Sequence, residues 1–525
     1  MNNLKLNSAL LILLLGLSFF AKAQTPDWST SIAGIFYENC TTCHHEGGIA
    51  PFSLLTYEVA VDNGFNIQAD VNSKKMPPWP ADPTVNHYWD EKVLTDEELT
   101  AINDWVNNGM PAGDLSLAPL PPVYSGNSTM LNPDDTVQLP VYTIPNDSDN
   151  YRTFVVYSNF TEFKYINAIE FIPGNNSVVH HASFHHDTSE ASYQQDLADP
   201  LPGYATDDFG DPSSTAINFG AWLPGNGIFK LLPNMGFKIP PNSYFVISIH
   251  YAPGNGNQKD SSKLYFKYTD IPDSLIRVVY KSKWLFPSVL VNGPLNIPAN
   301  SIKTFNEISQ PLTHKSLLGV VPHSHHVCTS WKVQMVTSTG DTTNLISIPK
   351  WSFYWQYNYM LTKVMDVPGL AQMLGEAVFD NTVNNPDNPN NPPKAVHEGG
   401  KSTNEMMNCG FILMDYEEGD ENIILDSAFY GLPTGSSNLS TDMSIELYPN
   451  PVSDEFHFIT QLETHDVNWK IINLYGAVVK QATRNYVPKG TYVQDVDVTE
   501  LETGIYQFYF QSGNKVVVKK ILVLK

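Results

Sequence analysis

Tyr244-Phe245-Val246-Ile247-Ser248-Ile249-His250-Tyr251 is a run of β-branched and aromatic residues that ends on a histidine. Its composition reads as a strand. Side chains on a strand alternate, so His250 shares a face with Val246 and Ser248. Residues 316–321 have the same texture. From about residue 132 to 431, such runs alternate with turns rich in Pro, Asn, Gly and Asp. This predicts an all-β region of sandwich or jelly-roll type. Its length predicts two such domains, 132–280 and 281–432. The Asn/Pro-rich stretch 384–393 reads as a surface loop within the second.

On the N-terminal side the texture changes. Residues 115–131 contain Pro119, Pro121 and Pro122 and read as a semi-rigid linker. Residues 24–114 read as a small helical unit. Trp28 to Asn39 suits a helix. A second helix opens at Thr95, with Glu98 completing a capping box. Leu99, Ile102 and Val106 supply its apolar stripe, and Gly109 and Pro111 end it. Residues 1–23 carry Lys5, a short apolar run and Ala21-Lys22-Ala23, the pattern of a secretory signal. No other run is long and apolar enough to cross a membrane.

Across 525 residues the formal net charge is -24. That argues against nucleic acid or an acidic membrane surface as a partner. The chain has four cysteines. Cys40 and Cys43 stand in Cys40-Thr41-Thr42-Cys43-His44, the spacing of a covalent c-type haem site. The two thiols capture the haem vinyl groups, and the imidazole of His44 lies under the iron. A zinc reading would need a second ligand pair nearby, and the sequence offers none. Met76, stiffened by Pro77 and Pro78, is the expected second axial ligand. Met110 and His45 stay open as rivals. Cys328 and Cys409 remain, and an oxidising compartment would permit a disulfide between them.

The order of helix, haem motif, Ala50-Pro51-Phe52, Met76-Pro77-Pro78-Trp79 and closing helix resembles class I cytochrome c domains. The expected fold of residues 24–114 is therefore an all-α cytochrome c domain carrying one covalent haem c.

The β region gathers further donors: His180-His181, His250, His323-Ser324-His325 and Met406, with an aromatic stretch from Trp351 to Tyr359. His323 and His325 fall on one face of a strand, and His326 on the other. His180 and His181 are adjacent, so joint ligation needs a bulge or a strand end. Imidazole and thioether together suit copper, which must be held in two oxidation states. In order, His-His, Ile-His-Tyr, Pro-His-x-His and Asn-Glu-Met resemble the copper type II, ascorbate-dependent monooxygenases, which include the peptidylglycine and dopamine hydroxylases. The resemblance implies two coppers. His180, His181 and His250 would hold the first, which passes electrons. His323, His325 and Met406 would hold the second, which activates dioxygen to hydroxylate a C–H bond. Met407 is the rival sulfur. His185 and His186 read as structural. Val321 and Gly410 replace an Arg and a Tyr of the peptide-amidating branch, which argues against a carboxylate-terminated peptide substrate.

Past a Ser/Gly/Asn linker at 433–444, residues 445–525 form a last β unit, expected as a small β-sandwich closed by a strand at 516–524. Leu447-Tyr448-Pro449-Asn450-Pro451, Asn473-Leu474-Tyr475-Gly476 and Gly504-Ile505-Tyr506 resemble the C-terminal sorting domain of type IX secretion substrates. This implies the type IX secretion machinery as a partner, and passage through the periplasm and across the outer membrane.

The whole reads as a secreted or cell-surface copper-dependent monooxygenase with a c-type haem feeding electrons. Its partners would be dioxygen, a small-molecule or peptide substrate, and an electron donor such as ascorbate or a redox protein. A non-catalytic haem/copper electron-transfer protein is the alternative. Substrate identity and oligomeric state are not legible.

Overall fold

A computed structural model describes residues 25–124, 128–130, 132–206, 213–269, 271–425, 445–462, 467–473, 478–484, 487–513 and 515–525. The signal segment and the 433–444 linker lie outside the described residues. The chain divides into two compact units. One runs to Pro77 and resumes at Val93–Val123. The other holds Pro78–Lys92 and Tyr124–Lys525.

In the first unit, a helical segment from Trp28 to Asn39 opens on Asp27, whose carboxylate accepts from the Thr30 N–H at 2.9 Å. The helix Asp96–Asn107 begins with the anticipated capping box of Thr95 and Glu98. Such a cap contributes about 1 kcal/mol by satisfying N–H groups that have no partner within the helix. Ile102, Trp105 and Val106 are buried against Trp28 and Phe36. Trp28 meets Phe36 edge-on at 5.9 Å.

The expected all-α cytochrome domain is nevertheless not formed. Strands make up 42% of the chain and helices only 13%. Between its helices the N-terminal region has long irregular stretches, where Gly47, Gly48, Pro51, Pro77, Pro78, Pro80 and Pro83 deny helix propagation. The chain also leaves this unit entirely for residues 78–92.

The two separate jelly rolls are likewise replaced. One nine-stranded sheet runs through both expected halves. The strand Arg277–Leu285 joins them, pairing in parallel with Met235–Ile239 and antiparallel with Asn408–Asp415. The anticipated division at 280/281 falls inside it. A five-stranded, a four-stranded and two two-stranded sheets make up the rest of this body among the described residues. A single apolar core extends from Phe154 and Phe245 to Trp331 and Phe411.

Tyr244–Tyr251 is a central strand, flanked by Asn150–Tyr157 and Val179–Asp187. It is buried on both faces rather than alternating. Burial of Phe245, Ile247 and Ile249 contributes roughly 1.5–3 kcal/mol each. Ser248 is admitted because its hydroxyl bonds Thr153 Oγ1 at 2.7 Å.

In the tail, the three strands Ile445–Tyr448, Glu455–Leu462 and Gly490–Asp497 form one sheet. Four more, closed by Lys515–Val523, form another. Phe456, Phe458, Trp469 and Phe508 fill a core of their own. Among the described residues, no helix is long and apolar enough to cross a membrane.

Candidate metal centre

His181 lies opposite His250 in the strand register, while Tyr251 lies opposite Val179. His180 is therefore the extra residue of a bulge, the local geometry that brings two adjacent imidazoles to one side. Ligand atoms of His180, His181 and His250 all lie within 4.8 Å of one another. His180 Nδ1 and His181 Nδ1 are 2.7 Å apart. Tyr151 stacks on the His250 ring at 4.2 Å.

Neighbouring groups set the tautomers. His250 Nε2 donates to Asp149 Oδ1 at 2.9 Å, which leaves the lone pair on Nδ1. Burial works to raise the Asp149 pKa, but His250 and Ser402 hold it down to about 2, so it stays a carboxylate. His323 ends the strand Lys315–His323. The Gln356 side-chain nitrogen donates to the Phe353 carbonyl at 2.8 Å, so Gln356 Oε1 is turned toward His323. His323 Nδ1 donates to that oxygen at 2.7 Å, leaving Nε2 as the donor atom for a metal. His325 Nδ1 donates to the Asn404 carbonyl at 3.2 Å, with the same result. Burial lowers His180 and His325 to about 3 and His323 to about 4, keeping these imidazoles neutral, the form that ligates.

Asn408 lies opposite His323. Met406, two residues earlier, accepts from Asn408 Nδ2 at 3.5 Å. Met407 is wholly buried in the apolar core. Of the two sulfurs, Met406 is the one beside the Asn408 side chain. The two imidazole sets adjoin, with the His181 and His323 ring centres 6.3 Å apart.

Other groups named in the sequence without a role in ligation take defined places at this centre. Glu405 is fully buried and accepts from the N–H groups of His325 and Val327 at 2.8 Å each, of Met406 at 3.0 Å and of Cys328 at 3.2 Å. Burial pushes its pKa up to about 8 against the pull of those four amides. Phe353 stacks on His180 at 4.8 Å and lies 4.0 Å from the ring of His326, so His326 borders the cluster rather than facing away from it. The Trp351 indole donates to the His325 carbonyl at 3.2 Å. The aromatic composition of residues 351–359 was the available signal for this loop.

His185 and His186 are buried along Val179–Asp187, away from the triad. His185 Nε2 meets Asn218 at 3.3 Å, and His186 stacks on Phe219. Burial lowers His186 to about 4. The unfolded chain therefore binds more protons than the folded chain between pH 6.5 and 4, and stability falls as pH drops through that window. His186→Phe should remove about 3 kcal/mol of this acid-side loss, read as a flatter stability-versus-pH curve from urea unfolding.

In the first unit, Cys40 and Cys43 follow the helix Ala33–Asn39, and neither is in a disulfide. His44 Nδ1 donates to the Phe52 carbonyl at 3.0 Å, leaving the lone pair on Nε2. These residues fit a covalent haem. His45 Nδ1 is engaged by the Thr41 carbonyl at 2.9 Å. Met110 packs against Gly64. Met76 is half-buried. Cys328 and Cys409 are buried free thiols, not a disulfide.

Residues 446–524 match the family described as Secretion system C-terminal sorting domain. This tail marks the chain for export by the type IX secretion machinery to the cell surface or beyond. No curated protein matches the chain. Solved structures similar in part include a β-glucuronidase of Bifidobacterium dentium, at 8% identity over 47% of this chain and 48% of that one. The chain thus spans about half the length of that enzyme. Another is a biofilm associated protein BSP domain, at 9% identity over 74% and 81%. A third is dimeric latent PorU of Porphyromonas gingivalis, at 12% identity over 71% and 34%. Each has a TM-score of 0.14 and carries no argument about fold or function.

Proposed function

We propose that this exported chain is a copper-dependent monooxygenase of the type II, ascorbate-dependent kind, with electrons supplied through a c-type haem attached at Cys40 and Cys43. The observation that carries the reading is the shared orientation of the imidazoles. Asp149, Gln356 and the Asn404 carbonyl each hold the proton on one nitrogen of His250, His323 and His325, so the other nitrogen is left as a donor.

Copper bound by these donors would cycle between two oxidation states and activate dioxygen for insertion into a C–H bond. The chain's own residues do the rest. The bulge at His180 puts two adjacent rings on one side of the strand. Glu405 pins the turn carrying His323 and His325. Phe353 stacks on the His180 ring. Val321 and Gly410 are cross-strand partners, so the place where a carboxylate-gripping Arg would stand is apolar. The substrate class is one without a terminal carboxylate to anchor.

The test is dioxygen uptake by the copper-loaded chain with ascorbate as reductant. Uptake that needs both copper and reductant supports the reading. Full copper loading with no uptake above free copper contradicts it and leaves a haem/copper electron carrier.

A further inference from the structure

We propose that Lys281 and Lys283 form an anion subsite beside His323, suited to a substrate that bears a tetrahedral oxyanion, a phosphate or a sulfate group. That the group belongs to the substrate rests on the copper reading above; the subsite itself does not. Both lysines lie on the strand Arg277–Leu285, two residues apart and so on one face. Across the sheet, Lys283 stands opposite Gly410, and Gly410 opposite Val321. His323 stands opposite Asn408 on the same two strands as Val321 and Gly410. These six residues therefore share one face of the nine-stranded sheet. Gly410 has no side chain, and a methyl group at its place would meet nothing nearer than the Val321 Cβ, at 3.7 Å. Val321 and Lys283 stand two strand spacings apart across that opening, about 10 Å.

The charges on this face call for an anion. The chain has 54 acidic and 30 basic side chains. Even so, among the described residues neither Lys281 nor Lys283 makes an ion pair or a side-chain hydrogen bond. Lys281 is half-buried, and burial, with the Lys283 charge beside it, lowers its pKa to about 8. Burial lowers His323, and the Lys283 charge adds to that effect. Two like charges held together without a carboxylate repel, and a bound anion offsets that repulsion. The donors also select the anion. A guanidinium grips a planar carboxylate through two parallel N–H groups, and Val321 offers no such grip. Two ammonium groups on separate stems act as point charges, which suit oxygens diverging from a tetrahedral centre. A substrate anchored by this non-reacting group is oriented next to His323.

The experiment is equilibrium dialysis of the metal-free full chain at neutral pH against labelled inorganic phosphate and, separately, inorganic sulfate, with acetate as the planar comparison. The wild-type chain should bind a tetrahedral anion saturably and acetate more weakly. Lys283→Met keeps the apolar stem and removes the charge, so binding should weaken by about tenfold, the weight of one charge-assisted hydrogen bond. Lys281→Met should do the same, and the double variant should show no saturable binding. Lys303→Met is the control for general charge, because Lys303 is exposed on the strand Ile302–Ile308 of the four-stranded sheet. It should leave binding unchanged. The tighter of the two anions tells whether the substrate group is a phosphate or a sulfate. No saturable binding of either anion, equal binding by Lys283→Met and the wild type, or acetate held as tightly as both anions overturns the subsite. The dialysed chain carries no copper, so that result leaves the copper reading standing. A chain that binds the anion and takes up no copper keeps the subsite and overturns its role as a substrate anchor.

Discussion

Glu405→Ala should destabilise the β unit by roughly 4 kcal/mol or more. The carboxyl group accepts from four backbone N–H groups, those of His325, Met406, Val327 and Cys328. All sit in an interior where Glu405, Val327 and Cys328 are almost wholly buried. A buried donor left without a partner costs about 1–3 kcal/mol, and alanine strands four of them beside a cavity. Glu405→Gln keeps the volume but turns one amide nitrogen toward those donors, so it should fall between alanine and the wild type. Urea unfolding measures the difference. A loss under about 1 kcal/mol for alanine would show that Glu405 does not anchor the histidine turn.

His250→Ala should remove one copper and spare the other. Its ring is the centre of the first set: it is stacked on Tyr151, bonded to Asp149 and the cross-strand partner of His181. Without it, only the His180 and His181 imidazoles remain there. His323, His325 and Met406 keep their own supports through Gln356, Asn404 and Asn408. Copper content after dialysis should fall by about half. Loss of both ions together would mean that the adjoining rings of His181 and His323 belong to one shared centre.

The histidine cluster was legible because strand periodicity is local. The adjacency of His180 and His181 demanded the bulge that the register at His250 contains, while His325 stands beside His323 from past the end of the strand, where alternation no longer holds. The Thr95–Glu98 capping box was legible for the same reason. What failed was long-range. Nothing local marks Arg277–Leu285 as the strand that fuses two expected domains into one sheet. Nor does any short pattern reveal that residues 78–92 leave the helical unit. Asp149 lies far from His250 in sequence, and Glu405 far from Val327, so their partnership exists only in the fold. His326 was misplaced by extending strand alternation past His323, where the strand ends.

Metal analysis of the full chain, matured in an envelope that attaches haem and then loaded with copper, tests the central claim most directly. The account predicts one covalently bound iron and two coppers per chain, with the coppers coordinated by imidazole nitrogen. Retention of zinc in place of copper, or absence of covalent iron, would contradict it.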